Sequence, residues 1–262
     1  MNPKTSEDHG QDAPFLHQGD FGAALMLLTR IPCPAWLAAD RGARSAWAWP
    51  LVGALVALVS WGAGAASVAL GLPPAIAAGA AIAVALILTG ALHEDGLADC
   101  ADGFWGASRR ERRLEILRDS RVGSYGVVAL VMVLGMRWTA IATLFEGGAA
   151  LAGMLAAAVL SRAAMAGVMA ALPFARPDGL AVLSGRPAAG TVALGAVLSL
   201  AGVAAASGGV SALVAALAAL AAALGCAAVA RAKIGGQTGD VLGATQQVSE
   251  LAILLTCVAL LP

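Results

Sequence analysis

The chain is a succession of apolar runs, most of them long enough to cross a bilayer, joined by short polar turns. The runs lie at 47–70, 75–92, 126–145, 149–172, 191–206, 211–230 and 241–261, and the only charged residues inside them are Arg137, Arg162 and Glu250. A helix needs about 20 apolar residues to span the hydrocarbon. Backbone in lipid must satisfy its own polar groups, which leaves helices or closed barrels. Ala and Leu dominate the runs and nothing alternates with period two over about 10 residues, so a barrel is excluded. The chain is 60% hydrophobic and 12% charged, with a mean hydropathy of +0.82, which excludes a disordered chain, a collagen-like fibre and an ordinary soluble enzyme. The expected fold is all-α: a polytopic helical membrane bundle of about seven full spans. A shorter apolar stretch at 21–28, stopped before Pro32 and Pro34, is expected to be an interfacial or half-inserted helix.

Residues 1–20 are polar and acidic and lack the basic start and apolar centre of a signal peptide. They read as a tail before a single integral-membrane catalytic domain at 21–262. Trp47 and Trp49 stand where an aromatic belt would place them. The four cysteines, Cys33, Cys100, Cys226 and Cys257, show no C-x-x-C spacing and read as reduced packing residues. Sixteen Lys and Arg balance sixteen Asp and Glu, so net charge suggests no nucleic-acid partner. Position is more informative. Under a seven-span arrangement, Lys4, Arg30, Arg41 and Arg44, the six Arg between 109 and 121, Arg176 with Arg186, and Arg231 with Lys233 all fall on one face. The alternate turns near 72, 147 and 208 hold no Lys or Arg. The basic face is therefore expected to be cytoplasmic, with the C-terminus on the other side.

Most of the chemistry lies between residues 93 and 122, the one long charged segment. Asp95, Asp99 and Asp102 are spaced by four and three and share one helical face. Like charges so placed repel unless a cation sits among them, and all-oxygen ligands suit Mg2+, which keeps waters and often bridges protein to phosphate. Glu94 lies off this face. Arg118, Asp119 and Arg121 precede a glycine-rich helix start, where guanidinium groups and backbone donors together suit phosphate. Arg109, Arg110, Arg112 and Arg113 read as positive-inside anchors. A second motif, Gly235-Gly236-Gln237-Thr238-Gly239-Asp240, allows close backbone approach to an anion, and Asp240 is placed to cap a helix or reach a metal. Glu250, Arg137 and Arg162 lie deep in their spans, where ionisable groups face a partner or a cavity. A buried pair of Glu250 with one of these arginines is one reading of them.

Taken together these segments resemble the membrane-bound cobalamin (5′-phosphate) synthase family, the adenosylcobinamide-GDP ribazoletransferases. The resemblance rests on Thr29–Pro32, Trp49–Gly53, His93–Asp99 with Asp102 and Gly103, Glu115–Gly123, Ser161 with Arg162, Gly235–Asp240 and Glu250. These occur in family order over nearly the whole chain. The acidic block and the GGQTGD block are the specific ones, and the polar tail is an addition to the family's usual start. The resemblance implies the last joining step of the cobalamin nucleotide loop. Adenosylcobinamide-GDP would react with α-ribazole or its 5′-phosphate, releasing GMP and forming cobalamin or its 5′-phosphate, with Mg2+ required. Asp95, Asp99, Asp102 and Asp240 are the expected metal ligands. Asp95, Asp240 or His93 would accept the proton of the attacking hydroxyl. Arg118, Asp119, Arg121, Arg162, Gly235, Gly236, Gln237, Thr238 and Arg30 are the expected substrate contacts. The implied location is the bacterial inner membrane, with the site at its cytoplasmic face. Membrane lipid, and an oligomer of the same chain as an open option, complete the expected partners.

Two rivals are weighed. A CDP-alcohol phosphotransferase also expels a nucleoside monophosphate from an acidic motif at a membrane surface. Its motif carries Ala-Arg after the first Asp-Gly, whereas here Ala98 is followed by Asp99. A transporter could line a path with Arg137, Arg162 and Glu250, but does not need so long a charged segment on one side.

Overall fold

The computed structural model describes residues 15–37 and 39–261, and residues 1–14 of the expected tail, with Lys4, lie outside them. Among the described residues the chain is helical without named strands. In chain order, α1 is Asp20–Leu28, α2 Trp49–Ala69, α3 Pro74–Thr89, α4 Leu92–Gly106, α5 Arg110–Ile116 and α6 Ser124–Glu146. Then follow α7 Ala150–Ala171, α8 Leu180–Ser184, α9 Ala189–Ser207, α10 Gly209–Ile234 and α11 Gly239–Ala259. A 3-10 turn at Gly42–Ala48 leads into α2.

Six of the helices are long and apolar enough to cross a membrane unaided: α2 with its 3-10 turn, α6, α7, α9, α10 and α11. A seventh candidate is the bent pair of α3 and α4, which is long and apolar enough only when the two are taken together. The sequence predicts an unbroken run over 75–92, but α3 ends at Thr89 and α4 leaves it at 89°. The cause is two successive left-handed residues, Gly90 at φ +64 and Ala91 at φ +55. Glycine ends helices this way at little cost, whereas alanine there is strained. The short first helix is found where expected. It stops at Thr29, whose backbone is extended and whose hydroxyl bonds back to the Leu25 carbonyl at 2.7 Å.

The tryptophans do not form a belt. Trp49 is buried, and the Trp47 indole donates to Asp20 at 2.9 Å. Asp20, itself buried, also takes the Arg41 guanidinium at 2.6 Å and the His17 N–H at 2.9 Å. A buried carboxylate with three donors ties α1 to the turn before α2; Trp47 serves that junction, whereas Trp49 packs into the apolar core. The cysteines are all free.

The α7 and α11 helices are the most enclosed of the crossing helices, and the rest pack around them. Two apolar clusters form the interior. One joins Leu28, Trp49, Met165, Met169, Val241 and Leu242. The other joins Ile82, Leu144, Met154, Leu160, Ile253 and Leu254. Between lipid-facing helices there is little hydrophobic drive, so small residues that let backbones approach carry the packing. Gly53 shows this: a Cβ there would lie 2.4 Å from the Ala158 carbonyl oxygen on α7. On the outside, Leu213, Leu217, Leu220 and Leu224 of α10 are exposed and present an apolar stripe.

Candidate active site

The two sequence motifs meet where α4 crosses α11. A Cβ on Gly243 would lie 3.2 Å from His93 backbone atoms, and one on Gly96 would lie 2.7 Å from the Asp240 carbonyl oxygen. Glycine on both helices lets the backbones touch, and this contact sets Asp95 and Asp99 of α4 beside Asp240 at the start of α11. Asp95 is exposed, while Asp99 and Asp240 are partly buried. Burial first, then the carboxylates of Asp95, Asp240 and Asp102, push Asp99 up to about 7. A carboxyl held so far above its usual range marks a place short of positive charge. Among the described residues, no three His, Cys, Asp or Glu side chains converge closely enough to hold a metal by themselves.

Asp240 is not the helix cap. Thr238 is, taking the Val241 N–H at 3.4 Å, and its hydroxyl donates to Asp240 at 3.0 Å. Across from Asp240 stands Arg176, with Nη2 at 3.7 Å from the carboxylate. Arg176 also approaches Asp178 at 3.7 Å, and Asp178 takes Arg118 in a two-pronged bond at 2.7 and 2.8 Å. Arg118 therefore reaches the acidic crossing through Asp178 and Arg176. Arg176 carries no motif in the sequence and belongs only to a basic loop; no signal along the chain marks it.

That loop is held in place by the glycine motif. Gly235 ends α10 at φ +79. A Cβ on Gly236 would lie 2.2 Å from the Pro173 carbonyl oxygen. Gln237 then pairs with the loop as a short parallel bridge: its N–H donates to Pro173 at 2.8 Å, and its carbonyl accepts from Ala175 at 2.9 Å. The expected donor of Gln237 thus serves a protein contact, and Gly236 permits the close approach that contact needs. Arg110 adds to it, donating to the carbonyls of Ile234 at 2.8 Å and Ala175 at 2.6 Å, and Arg113 donates to Lys233 at 2.9 Å. These two expected anchors satisfy the last carbonyls of α10.

Asp102 shares the face of Asp95 and Asp99 but is otherwise engaged. Its two oxygens take the N–H groups of Gly123 at 2.7 Å and Gly126 at 2.9 Å, at the start of α6. The glycine-rich helix start expected to bind phosphate therefore binds this carboxylate, and a Cβ at Gly126 would lie 2.4 Å from it. Arg121 pairs locally with Asp119 at 2.6 Å in the open, and its hydrogen bonds hold the Asp119 carboxyl down to about 2. Arg30 is not part of the wall of the pocket that holds Asp95 and Asp240. Its N–H donates to Leu88 at 2.7 Å and its side chain lies against Gly90 at the break.

The opposite face of α4 enters a buried network. Arg137 donates to Glu94 at 3.0 Å, Gln247 at 2.8 Å and Glu250 at 2.6 Å. Gln247 donates to Glu94 at 2.9 Å and to Gln246 at 2.8 Å. The arginine partner of Glu250 is thus Arg137, and Gln246 also donates to Glu250. Arg162, buried, donates to the Ala158 carbonyl at 2.9 Å and lines a cavity of about 30 Å³ beside this network. His93 lines that cavity and also a larger one of about 150 Å³ that contains Asp95, Asp240 and Arg176 in its wall. The His93 Nε2 atom is buried without a partner.

The arrangement gathers carboxylates of two helices and one arginine at the mouth of a pocket. It suits a ligand that brings both phosphate and a hard cation. Comparison with known proteins bears on which. The chain is 42% identical over 242 residues to an adenosylcobinamide-GDP ribazoletransferase of Bradyrhizobium diazoefficiens, covering 92% of this chain and 93% of that one. It is 44% identical over 251 residues to the protein of that name from Azorhizobium caulinodans, covering 90% and 94%. For that of Brucella abortus the identity is 42% over 247 residues, covering 90% and 95%. No solved structure matches. Residues 20–258 match the profile described as cobalamin-5-phosphate synthase, and the chain belongs to that family.

Proposed function

We propose that the chain transfers the cobinamide phosphate of adenosylcobinamide-GDP to a hydroxyl of α-ribazole or its 5′-phosphate. The hydroxyl oxygen forms a bond to the phosphorus that carries cobinamide. The bond from that phosphorus to GMP breaks, and the hydroxyl proton passes to a carboxylate. Asp95 and Asp240 are the candidates for this base, since both face the pocket from adjoining elements. Arg176, partly buried and already opposite Asp240, is placed to bind a pyrophosphate oxygen. Arg118 holds Asp178, which in turn holds Arg176 in position.

The donor set fits Mg2+. The carboxylates are all-oxygen, burial and then their neighbours' charges raise Asp99, and they are too dispersed to hold a cation without phosphate and water. Mg2+ held by Asp95, Asp99 and Asp240 would neutralise charge that develops on the leaving phosphate. Asp102 would support this set from behind through its hold on α6.

The observation that carries the reading is the crossing of α4 and α11, which unites the family's two specific motifs. The test is GMP release by purified protein in liposomes. Release is expected only when adenosylcobinamide-GDP, the riboside and Mg2+ are all present. Release without the riboside, or none at all, would reject the proposal. The site is proposed to face the cytoplasm of a bacterial inner membrane, since Arg110, Arg113, Arg118 and Arg176 surround it. Cysteines at Arg112 and Pro177 should then label from the cytoplasmic side, and cysteines at Leu72 and Gly209 only from the other.

A further inference from the structure

Two substrates of very different size must meet at Asp95 and Asp240, and the structure has one cavity there and a larger one that adjoins it. One, of about 150 Å³, has Asp95, Asp240 and Arg176 in its wall. Its remaining wall is mostly apolar and comes from several helices, with Trp49 of α2, Met165 and Met169 of α7, and Leu242 of α11. The other, of about 650 Å³, lies between α1, residues 39–42 and α8. Leu27, Leu180 and Ser184 line both.

We propose that the smaller cavity is the seat of the acceptor's aromatic base, a proposal that rests on the transfer reading above and names the part of its site that selects the acceptor. Size decides first. A cavity of about 150 Å³ is the size that accepts benzene. One ring of a flat base therefore fits within it, and a corrin macrocycle does not. The wall decides next. Met165 and Met169 are four residues apart on one face of α7, and thioethers make favourable contacts with aromatic rings. Both are buried, as is Trp49. The polar groups of the wall, His93, Asp95, Arg176, Ser184 and Asp240, are left to the sugar and its reacting hydroxyl, and the apolar side chains to the base. Connectivity decides last. A nucleoside with its base against Met165 and Met169 keeps its sugar toward the same wall that holds Asp95 and Asp240, which is where its hydroxyl must react.

The test is the kinetics of GMP release by the full chain in liposomes, each substrate being varied in turn. Two variants narrow the cavity from opposite sides: Met169→Phe on α7, and Ala181→Leu on the short surface helix α8, where Ala181 is buried. Each is expected to raise KM for α-ribazole roughly tenfold or more, a scale set by losing the burial of one ring. KM for adenosylcobinamide-GDP should stay within about twofold of wild type. In the wild type, a riboside with a one-ring imidazole base should show a KM roughly tenfold above that of α-ribazole. Unchanged acceptor KM in both variants, or a rise confined to adenosylcobinamide-GDP, would overturn the proposal while leaving the transfer reading intact. If either variant fails to fold in a thermal melt, the wild-type riboside series decides alone. If the wild type releases no GMP at all, the transfer reading fails. Equilibrium dialysis of α-ribazole against wild type and Ala181→Leu then decides the pocket: weaker binding by the variant supports it, and equal binding rejects it.

Discussion

Replacing Gly96 by alanine tests whether the helix crossing makes the site. The added methyl would stand 2.7 Å from the Asp240 carbonyl oxygen and 3.0 Å from its Cα, whereas ordinary contacts begin near 3.4 Å. The obstacle is backbone rather than a flexible side chain, so α4 and α11 must part by about 0.7 Å locally, an overpacking whose cost is about 1–3 kcal/mol. The separation falls between Asp95 and Asp99 on one side and Asp240 on the other. A misplacement approaching 1 Å in a catalytic array can lower turnover by about 100-fold. Gly96→Ala should therefore lose about 10–100-fold in GMP release while remaining inserted and folded. Gly106→Ala on the same helix is the control, because its methyl would find only Ile116 at 3.8 Å. The assay is steady-state GMP release alongside a thermal melt in detergent. Full turnover by Gly96→Ala would refute the claim that the crossing sets the carboxylate geometry.

Asp95→Asn, Asp99→Asn and Asp240→Ala should each lower turnover strongly with the fold kept, and raised Mg2+ should partly rescue at least one of the two amide variants. Normal turnover in all three would remove the cation site. Arg137→Met leaves Glu94 and Glu250 buried without their cation and should cost about 3–5 kcal/mol in denaturant unfolding. Adding Glu94→Gln and Glu250→Gln should recover most of that loss, and no recovery would show that charge is not the cause. The raised Asp99 carries a sign: the cation-free fold keeps a proton between about 4 and 7 that the unfolded chain has released. Its stability should fall as pH rises through that window, and Mg2+, which competes with the proton, should raise Tm more at pH 8 than at pH 6. An equal Mg2+ shift at both values would contradict this.

The spans were legible because apolar length is a local property, and α6, α7, α9, α10 and α11 begin and end within a few residues of their apolar runs. The break at Gly90 and Ala91 was not, since nothing in alanine announces a left-handed backbone. The face shared by Asp95 and Asp99 follows from helical spacing alone. Asp102 has the same spacing, and only the tertiary placement of Gly123 and Gly126 shows that its oxygens are taken. The glycines of 235–239 suggested close approach, and close approach is found, but Gly236 meets Pro173. Arg176 depended on that pairing and could not be read from any spacing. Trp47 and Trp49 depart from the belt for a related reason: only tertiary placement shows Trp47 bonded to Asp20 and Trp49 buried in the core.

The two faces of α4 explain one another. The apolar face of α4, with Leu97, Cys100 and Phe104 in the core, holds the helix against the bundle, but apolar packing is non-directional and does not by itself fix the helix's rotation. A buried ion network is a poor source of net stability, because desolvation offsets most of the attraction. It is directional, however, and each of its bonds fails if the helix turns. Arg137 grips Glu94 from α6 while Gln247 grips it from α11. Gly96 and Gly243 set the depth of the crossing, and Asp102 pins the far end of α4 to the start of α6. Rotation, depth and far end are thus each held by a different contact, and the remaining face can only present Asp95 and Asp99 toward Asp240. Carboxylates that repel one another will not stay gathered in a mobile segment. They stay because the inward side of the same helix cannot move without breaking bonds in the interior, which is the preorganisation that charge stabilisation in a transfer reaction requires.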